Sequence, residues 1–469
     1  MGTKPFNAKI VMITVVLTAL CFGLATLLYS QGPRVRYVDF QGSINQKSLH
    51  NNASIRIVFD RPLEQLDYNN AITLSPEANF SVQTNIQNIT LTFDENLLHG
   101  TEYTLNIDGV ITDKQGKSMA SDYAESFTTS LPRYAYLERD YSVEYVSTFT
   151  EINADDTVKI ATLDGDSKDV FSHPEIRSFT ANNDYVVAVT KTEISDELYT
   201  VNLDTGETRR ETLPFEGSVK NLTLAANGRT LLYSIQPIFE ETSIGAYEEN
   251  SNRVESINLE TGQSISLQYE NGDYIKGVNI YTDNNGLAVI IQDPGQKFYA
   301  VSPFNDFNPV LIGSYTSSFG FNSDTTKIIF SDRNEFLFYD ILTSEKSPLE
   351  FDVSSYAFSQ AISAKGNDIF YSTTEYIGEL TNSSVEYAAS PDDEPEIAWS
   401  STSASNPDLR RFNQSYDSKL LALQFNPQNC RFQSLSPFSD CVDSYQQIID
   451  IESGDIAAEF IGTNFIWLP

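Results

Sequence analysis

FTANNDYVVAVTKTEISDELYTVNLDTGE, running from Phe179 to Glu207, sets a pattern that most of the chain repeats. An entry strand near Phe179 is followed by an apolar strand at Tyr185–Thr190 and another at Leu198–Leu203, which the turn Asp204-Thr205-Gly206 ends. LTLAANGRTLLYS from Leu222 then precedes RVESINLETGQ from Arg253, and FGFNSDTTKIIFS from Phe319 precedes EFLFYDILTSE from Glu335. The last copy pairs FNQSYDSKLLALQF from Phe412 with QQIIDIESGD from Gln446. Asp164, Asp204, Glu260, Phe304, Leu342 and Glu452 mark the turns, at steps of 40, 56, 44 and 38 residues, then 110 across an obscured copy. Periods of about 40–45 residues with four strands each belong to propeller blades.

Seven blades are expected over residues 134–469: Tyr134–Phe171, Ile176–Leu213, Val219–Tyr269, Ile275–Ile312, Ser317–Phe351, Tyr356–Trp399 and Leu409–Phe460. With strand endings such as NLDTGE and NLETGQ, this half resembles the TolB-like or quinoprotein-like propellers, a resemblance of pattern alone. In each complete unit the outer strand leads to the entry strand of the next, as ETLPF leads to VKNLTL. After Ala457–Phe460 the stretch NFIWL, Asn464–Leu468, is one entry strand too many, whereas blade 1 lacks one, since Val143–Phe149 and Val158–Leu163 read as its next two strands. Phe465 and Trp467 are therefore expected to return to blade 1 and close the ring, pairing an otherwise open sheet edge.

The N-terminal third is different. Ile10–Tyr29, IVMITVVLTALCFGLATLLY, is almost wholly apolar, and about 20 residues suffice to span a bilayer. Lys4 and Lys9 precede it with no acidic residue between them. The run is long and Leu28-Tyr29-Ser30 is a poor cleavage site, so it is expected to be an uncleaved transmembrane anchor over residues 10–29. Residues 1–9 would form a cytoplasmic tail, with the remainder outside the cell membrane.

Gly32-Pro33 breaks this segment, and residues 34–130 read as a β-sandwich. Its strand candidates are Val35–Phe40, Ser54–Asp60, Ile72–Ser75, Asn88–Phe93, Tyr103–Ile107 and Ser126–Thr129. The pieces IRIVFDRPL from Ile55, ITLSP from Ile72, LLHGTEYTLNI from Leu97, VITDKQGKSM from Val110 and SFTT from Ser126 together resemble the bacterial Ig-like domain of the S-layer (SbsA-like) type. His99 stands where such domains often carry proline. The resemblance implies a spacer or adhesive module on the cell surface. Tyr103, three residues after Gly100, is placed like the tyrosine of a sandwich corner, and Asp113 is placed to order a turn ending at Gly116.

The fold class is thus all-β: a transmembrane helix, an Ig-like sandwich and a seven-bladed propeller. Composition agrees, with 12% aromatic residues and a net charge of −34, which excludes nucleic acid as a partner. No catalytic, cofactor or metal set emerges. The three histidines, His50, His99 and His173, fit no ligand spacing, no G-x-S-x-G or phosphate loop occurs, and the Asp164-Gly165-Asp166 stretch reads as a hairpin turn. The longer connections Pro237–Asn252 and Leu380–Pro407 carry the candidate contact aromatics Phe239, Tyr247, Tyr387 and Trp399. The expected function is a surface protein whose Ig-like stalk presents a propeller to a protein or glycan ligand. The alternative is an envelope enzyme that cleaves glycan or peptide with propeller-face carboxylates. The two readings differ in whether acidic side chains converge at the propeller mouth.

Cys430 and Cys441, ten residues apart, are suited to a disulfide in an exported chain. Non-reducing peptide mapping of the exported protein should recover them as one linked pair; alkylation of both as free thiols would remove the staple.

Overall fold

The computed structural model describes residues 13–19 and 32–468, apart from 46–47, 94–96, 147–148, 193, 225–227, 238–251, 270, 278, 283–288, 302–307, 316, 322–326, 333–334, 341–342, 350–356, 364–368, 378–379, 389–395, 404–407, 416–418 and 427–443. It divides into two compact units between Leu131 and Pro132. Of the anchor expected over Ile10–Tyr29, residues 13–19 form a helix and the rest lies outside the described residues. Seven residues cover only about 10 Å of the ~30 Å a bilayer requires. Among the described residues no helix is long and apolar enough to cross a membrane.

The first unit has seven strands: Val35–Asn45, Ser48–Phe59, Ile72–Ser75, Phe80–Thr84, Asn88–Phe93, Glu102–Ile107 and Tyr123–Thr129. Phe80–Thr84 was not among the strand candidates. Its residues are only half-buried in alternation, which leaves a weak apolar signal. Ser48–Phe59 connects the two halves of the unit. Its start runs parallel to Tyr123–Thr129 and its end runs antiparallel to Asn88–Phe93. Alternate residues of these strands, among them Ile55, Ile57, Leu91, Leu105 and Phe127, form one buried core. Tyr103 stacks on Phe127 at 5.6 Å, and its hydroxyl accepts the Leu98 amide proton at 3.1 Å, so the corner loop is tied to the core by a buried ring. Asp113 Oδ1 accepts the amides of Gln115 and Lys117 at 2.9 and 3.1 Å and holds a turn that Gly116 completes at φ +75°.

In the second unit the described residues form seven antiparallel four-stranded sheets. From first to fourth strand, sheet 1 is Thr463–Leu468, Arg133–Val146, Phe149–Thr162 and Ser167–His173. Sheet 2 is Ile176–Ala181, Tyr185–Lys191, Asp196–Asn202 and Thr208–Glu211. Sheet 3 is Gly217–Leu224, Thr230–Pro237, Arg253–Asn258 and Ser264–Ser266. Sheet 4 is Asn279–Thr282, Val289–Gln292, Lys297–Val301 and Val310–Ser314. Sheet 5 is Ser317–Phe321, Lys327–Asp332, Glu335–Asp340 and Lys346–Leu349. Sheet 6 is Ala357–Ser363, Ile369–Ile377, Leu380–Ala388 and Glu396–Ser403. Sheet 7 is Asp408–Gln414, Leu420–Asn426, Tyr445–Asp450 and Ile456–Ile461. The first strands neighbour one another in sequence, and that of sheet 1 adjoins those of both sheet 2 and sheet 7, so the arrangement is a propeller-like ring.

Both faces of a sheet are buried against its neighbours, which is why second strands such as Tyr185–Lys191 are nearly continuous apolar runs. Six apolar clusters fill the joints of sheets 1–2, 2–3, 3–4, 4–5, 6–7 and 7–1. Each contains an aromatic ring from at or just past a fourth strand, wedged onto the following sheet. Phe171 meets Tyr199 at 5.3 Å, Tyr269 meets Tyr299 at 5.3 Å, and Tyr315 stacks on Phe330 at 4.4 Å. Phe215 lies under the Arg253 guanidinium at 5.4 Å, and Phe460 meets Tyr136 at 4.5 Å. Trp399 is the wedge of sheet 6, with its ring 5.2 Å from Phe425.

The recurring turn has a local cause. Asn202 Oδ1 accepts the amides of Asp204 and Thr205, Asn258 Oδ1 those of Glu260 and Thr261, and Asp450 Oδ1 those of Glu452 and Ser453. Gly206, Gly262 and Gly454 then take φ of 72°, 71° and 73°, where a side chain is disfavoured. The expected strands Val143–Phe149 and Val158–Leu163 need correction. Arg133–Val146 and Phe149–Thr162 form one long hairpin, because the alternating residues between them continue the same pairing.

Thr463–Leu468 pairs antiparallel with Arg133–Leu137, setting Trp467 opposite Tyr134. Trp467 is buried, lies edge-on to Tyr134 at 6.0 Å, and donates its indole N–H to the Asn413 carbonyl at 3.1 Å. Gly462 precedes the strand, and a Cβ there would come within 2.6 Å of the Tyr136 ring. A chain ending at Gly462 should lose several kcal/mol of second-unit stability, given the burial of Trp467 and Leu468. Both tryptophans of the protein belong to this unit, so the fluorescence melt reads it directly. An unchanged melt would show that the strand does not hold the ring.

Candidate functional face

The ends of neighbouring sheets are brought level by hydrogen bonds that tie the third strand of one sheet, or the residue before it, to the start of the next sheet's first strand or to the residues just before it. Asp156 Oδ2 accepts the Ile176 amide at 2.8 Å, and Asp196 Oδ2 accepts the Val219 amide at 2.8 Å. Where no carboxylate is present, main chain serves: Val254 donates to the Ile275 carbonyl at 3.0 Å and Gly462 to the Ser444 carbonyl at 2.9 Å. In an antiparallel sheet the first strand starts where the second ends. These contacts therefore place the second-to-third-strand connections of sheets 7, 1, 2, 3 and 4 on one face.

That face is uneven. In sheets 2 and 4 the chain crosses it in a few residues, Lys191 to Asp196 and Gln292 to Lys297. In sheet 3 it leaves at Pro237 and returns at Arg253, in sheet 7 it leaves at Asn426 and returns at Tyr445. In sheet 1 the hairpin itself projects. The first strand stops pairing at Leu137 and the fourth at Asp156, whereas the hairpin ladder continues from Asp140↔Asp155 to Val146↔Phe149. Seven further residue pairs extend the ribbon by roughly 20–25 Å.

The candidate residues separate on this frame. Phe239 and Tyr247, in the connection of sheet 3, and Cys430 and Cys441, in that of sheet 7, lie outside the described residues. Tyr387 lies in the third strand of sheet 6, paired with Phe370 and Glu396, at the end away from the second-to-third hairpin Ile377–Leu380. Trp399 is packed between sheets. The stretch Leu380–Pro407, expected as a long connection, is mostly two long strands, and its Ser-rich ladder obscured them.

The stapling residues escaped the sequence reading. Asp156 and Asp196 each stand six positions before the residue that opens the third-strand turn, Thr162 and Asn202, and that spacing is the signal that marks them. Asp196 is fully engaged, with Arg177 Nη1 at 3.0 Å from Oδ1 and also donating to Ser218 Oγ at 3.2 Å. Asp156 is only half engaged: Arg139 Nη1 is 3.5 Å from Oδ2, and Oδ1 is buried with no hydrogen-bond partner. Burial pushes the Asp156 carboxyl up to about 6, against the pull of Arg139 and the Ile176 amide; Glu175 adds to the rise and His173 opposes it.

Two other carboxyls of this unit are also raised. Asp184 is lifted by burial and by Asp204, against Arg229 and Arg133, and Glu255 by burial, against the Ser266 hydroxyl that bonds both its oxygens. Each of the three is tied to a different set of partners. Among the described residues no group of three or more His, Cys, Asp or Glu is placed to hold a metal ion.

Residues 39–129 match the bacterial Ig-like domain family. Solved structures similar to the chain include TolB from Acinetobacter baumannii, at 13% identity and a TM-score of 0.37, covering 85% of this chain and 82% of that one. A prolyl endopeptidase is similar at 10% identity and a TM-score of 0.47, over 83% of this chain and 50% of its own. The acylaminoacyl peptidase of Pyrococcus horikoshii is similar at 11% identity and a TM-score of 0.45, over 71% and 53%. The chain spans about half the length of these peptidases. No curated protein matches it.

A raised carboxyl binds its proton more tightly in the folded state, so its contribution to stability is present below the ordinary carboxylate range and lost as pH rises through about 6. Relative to Asp156→Asn, the unaltered protein should therefore lose on the order of 2–3 kcal/mol between pH 4 and pH 7. Denaturant melts of both proteins at the two pH values test this. Parallel pH profiles would show that Asp156 does not titrate in this range.

Proposed function

We propose that the protein is a membrane-anchored, extracytoplasmic surface protein in which the Ig-like unit is a stalk. The seven sheets of the second unit act as the blades of a propeller that binds a protein or glycan ligand. The observation that carries the reading is the unevenness of one ring face. Short connections suffice to close an antiparallel sheet, yet those of sheets 3 and 7 are long and the hairpin of sheet 1 projects from the same side. Rigid scaffolds carry recognition on such additions.

The Ig-like match over residues 39–129 supports the stalk. The N-terminal helix supports the anchor. Ile13, Val15, Val16 and Leu17 are exposed, a costly surface in water and a favourable one in lipid, and the Thr18 hydroxyl bonds the Thr14 carbonyl at 2.7 Å, as a polar group in hydrocarbon requires. The separate ties of Asp156, Asp184 and Glu255 favour binding over carboxylate catalysis.

The full chain expressed in a bacterium should remain with the membrane pellet after a high-salt wash, with its sandwich cleavable by external protease. It should also bind purified cell-wall glycan or an envelope protein in a co-sedimentation assay. Replacing residues 238–251 by a four-residue turn should cut that binding at least tenfold without lowering the melting temperature. Release into the soluble fraction would overturn the anchor, and undiminished binding by the shortened chain would overturn the choice of face.

A further inference from the structure

Arg253 opens the third strand of sheet 3, where the chain returns to the ring from the long connection that follows Pro237. Its guanidinium lies 5.4 Å from the centre of the Phe215 ring and 4.2 Å from that of Tyr274. Phe215 belongs to the connection that leads into the first strand of sheet 3, and Tyr274 to the one that leads out of its fourth. Both connections emerge on the same face as the return at Arg253. Tyr274 is set by its own turn, in which Tyr269 donates its amide to the Asp273 carbonyl and Tyr274 bridges back to Gln268. The Tyr274 residue is 39% exposed, so the stacked cation stands at the surface.

Other arginines of this unit are paired: Arg139, Arg177, Arg209, Arg210 and Arg229 each meet a carboxylate. Among the described residues the Arg253 guanidinium has neither an ion pair nor a hydrogen bond, only the two rings. Glu255, two residues on, is otherwise engaged. Burial raises its carboxyl, against the Ser266 hydroxyl and then Arg253, and that hydroxyl bonds both its oxygens. Two lysines stand nearby. Val254 donates to the Ile275 carbonyl at 3.0 Å, and Lys276 is the next residue; Val219 pairs with Ile235, which pairs with Arg253, and Lys220 follows Val219. Both lysines are exposed, and among the described residues neither has an ion-pair partner. In a chain of net charge −34, these cations are left without a carboxylate from the protein itself.

Ring contacts use the face of a guanidinium and leave its N–H donors in the plane, where they are spaced for both oxygens of one carboxylate. The rings also hold the fork in place, so less side-chain freedom is lost when a ligand engages it. We propose that Arg253 anchors a carboxylate of a protein ligand, with Lys220 and Lys276 adding attraction around it. The assignment rests on the reading of this face as the recognition surface and names the chemistry it recognises. A polyuronic glycan carries a charge on every sugar and would extend over the acidic surface beyond these cations, whereas a peptide brings a single carboxylate to Arg253.

Ligand-observed NMR on the full chain in detergent tests this with an acetylated, amidated glycine-glutamate-glycine tripeptide and its glutamine counterpart. The glutamate peptide should bind about fivefold more tightly or better, and added salt should weaken it. Arg253→Lys keeps the charge but loses the planar fork, and should weaken binding roughly threefold or more with the melting temperature unchanged. Equal binding of the two peptides, or undiminished binding by Arg253→Lys, overturns the site. If Arg253→Lys lowers the melting temperature, Lys276→Gln carries the test from an exposed position: a loss of about twofold supports the site and no loss overturns it. Trigalacturonate binding more tightly than a triglutamate peptide overturns the choice of a protein ligand. The tripeptides need neither an envelope partner nor the connection 238–251, so failure here is separable from failure of the co-sedimentation assay.

Discussion

Backbone pairing between Thr463–Leu468 and Arg133–Leu137 is the constraint on which the second unit depends. A row of sheets packed face to face has two open ends, and each open face would expose the apolar residues that every other sheet buries. Bringing the C-terminal strand into the first sheet makes that sheet a product of both chain ends. The ring then cannot open between sheets 7 and 1 without breaking either the ladder within sheet 1 or the joint in which Phe460 packs on Tyr134 and Tyr136 and Trp467 bonds the Asn413 carbonyl. The edge that remains in each sheet is the outer one, where Ile265, Val310, Leu311, Ile456 and Ile461 are exposed.

Within that closed frame the joints between sheets use one device repeatedly with different chemistry. An aromatic from the fourth strand wedges onto the next sheet, and a staple aligns the strand ends. The staple is a carboxylate at Asp156 and Asp196 and main chain at Ser444. The substitution matters because a buried carboxylate needs compensation. Asp196 has Arg177 close by, whereas Asp156 has a distant Arg139 and an unpartnered oxygen, and burial dominates its titration. Equivalent positions in one fold thus differ in hydrogen bonding: Arg177 engages both oxygens of Asp196, whereas Oδ1 of Asp156 is left without a partner.

The same staples give the ring its functional geometry. Because they level the starts of neighbouring first strands, every second-to-third connection they govern emerges on one side, and additions to separate sheets accumulate on a shared face. Sheets 7, 1 and 3 carry such additions there. The opposite side carries the Asx-capped turns of Asn202, Asn258 and Asp450, which are short and saturated by their own hydrogen bonds. A saturated turn has little left to offer a ligand, whereas a long connection does.

How much of this was legible follows from what each signal is made of. The blade period, the turns and the surplus strand NFIWL were readable because strand alternation and Asx-Gly turn chemistry are local and repeat within a few residues. The corner tyrosine Tyr103 and the Asp113 turn were readable for the same reason. The length of the Arg133–Thr162 hairpin was not, since continued pairing needs a partner strand and not a stronger local pattern. Trp399 reads equally well in the sequence as a contact aromatic or a packing one, and it is a wedge, because exposure depends on the neighbouring sheet that covers it. Tyr387 and Phe239 looked alike in the sequence, yet the strand pairing puts Tyr387 at the end of sheet 6 away from its second-to-third hairpin. Local periodicity and turn residues specify the repeated four-stranded unit and the Ig-like strands before it. Which sheets meet, which carboxylate lacks a full partner and which connections share a face emerge on folding, because these depend on hydrogen bonds between residues that the chain keeps apart.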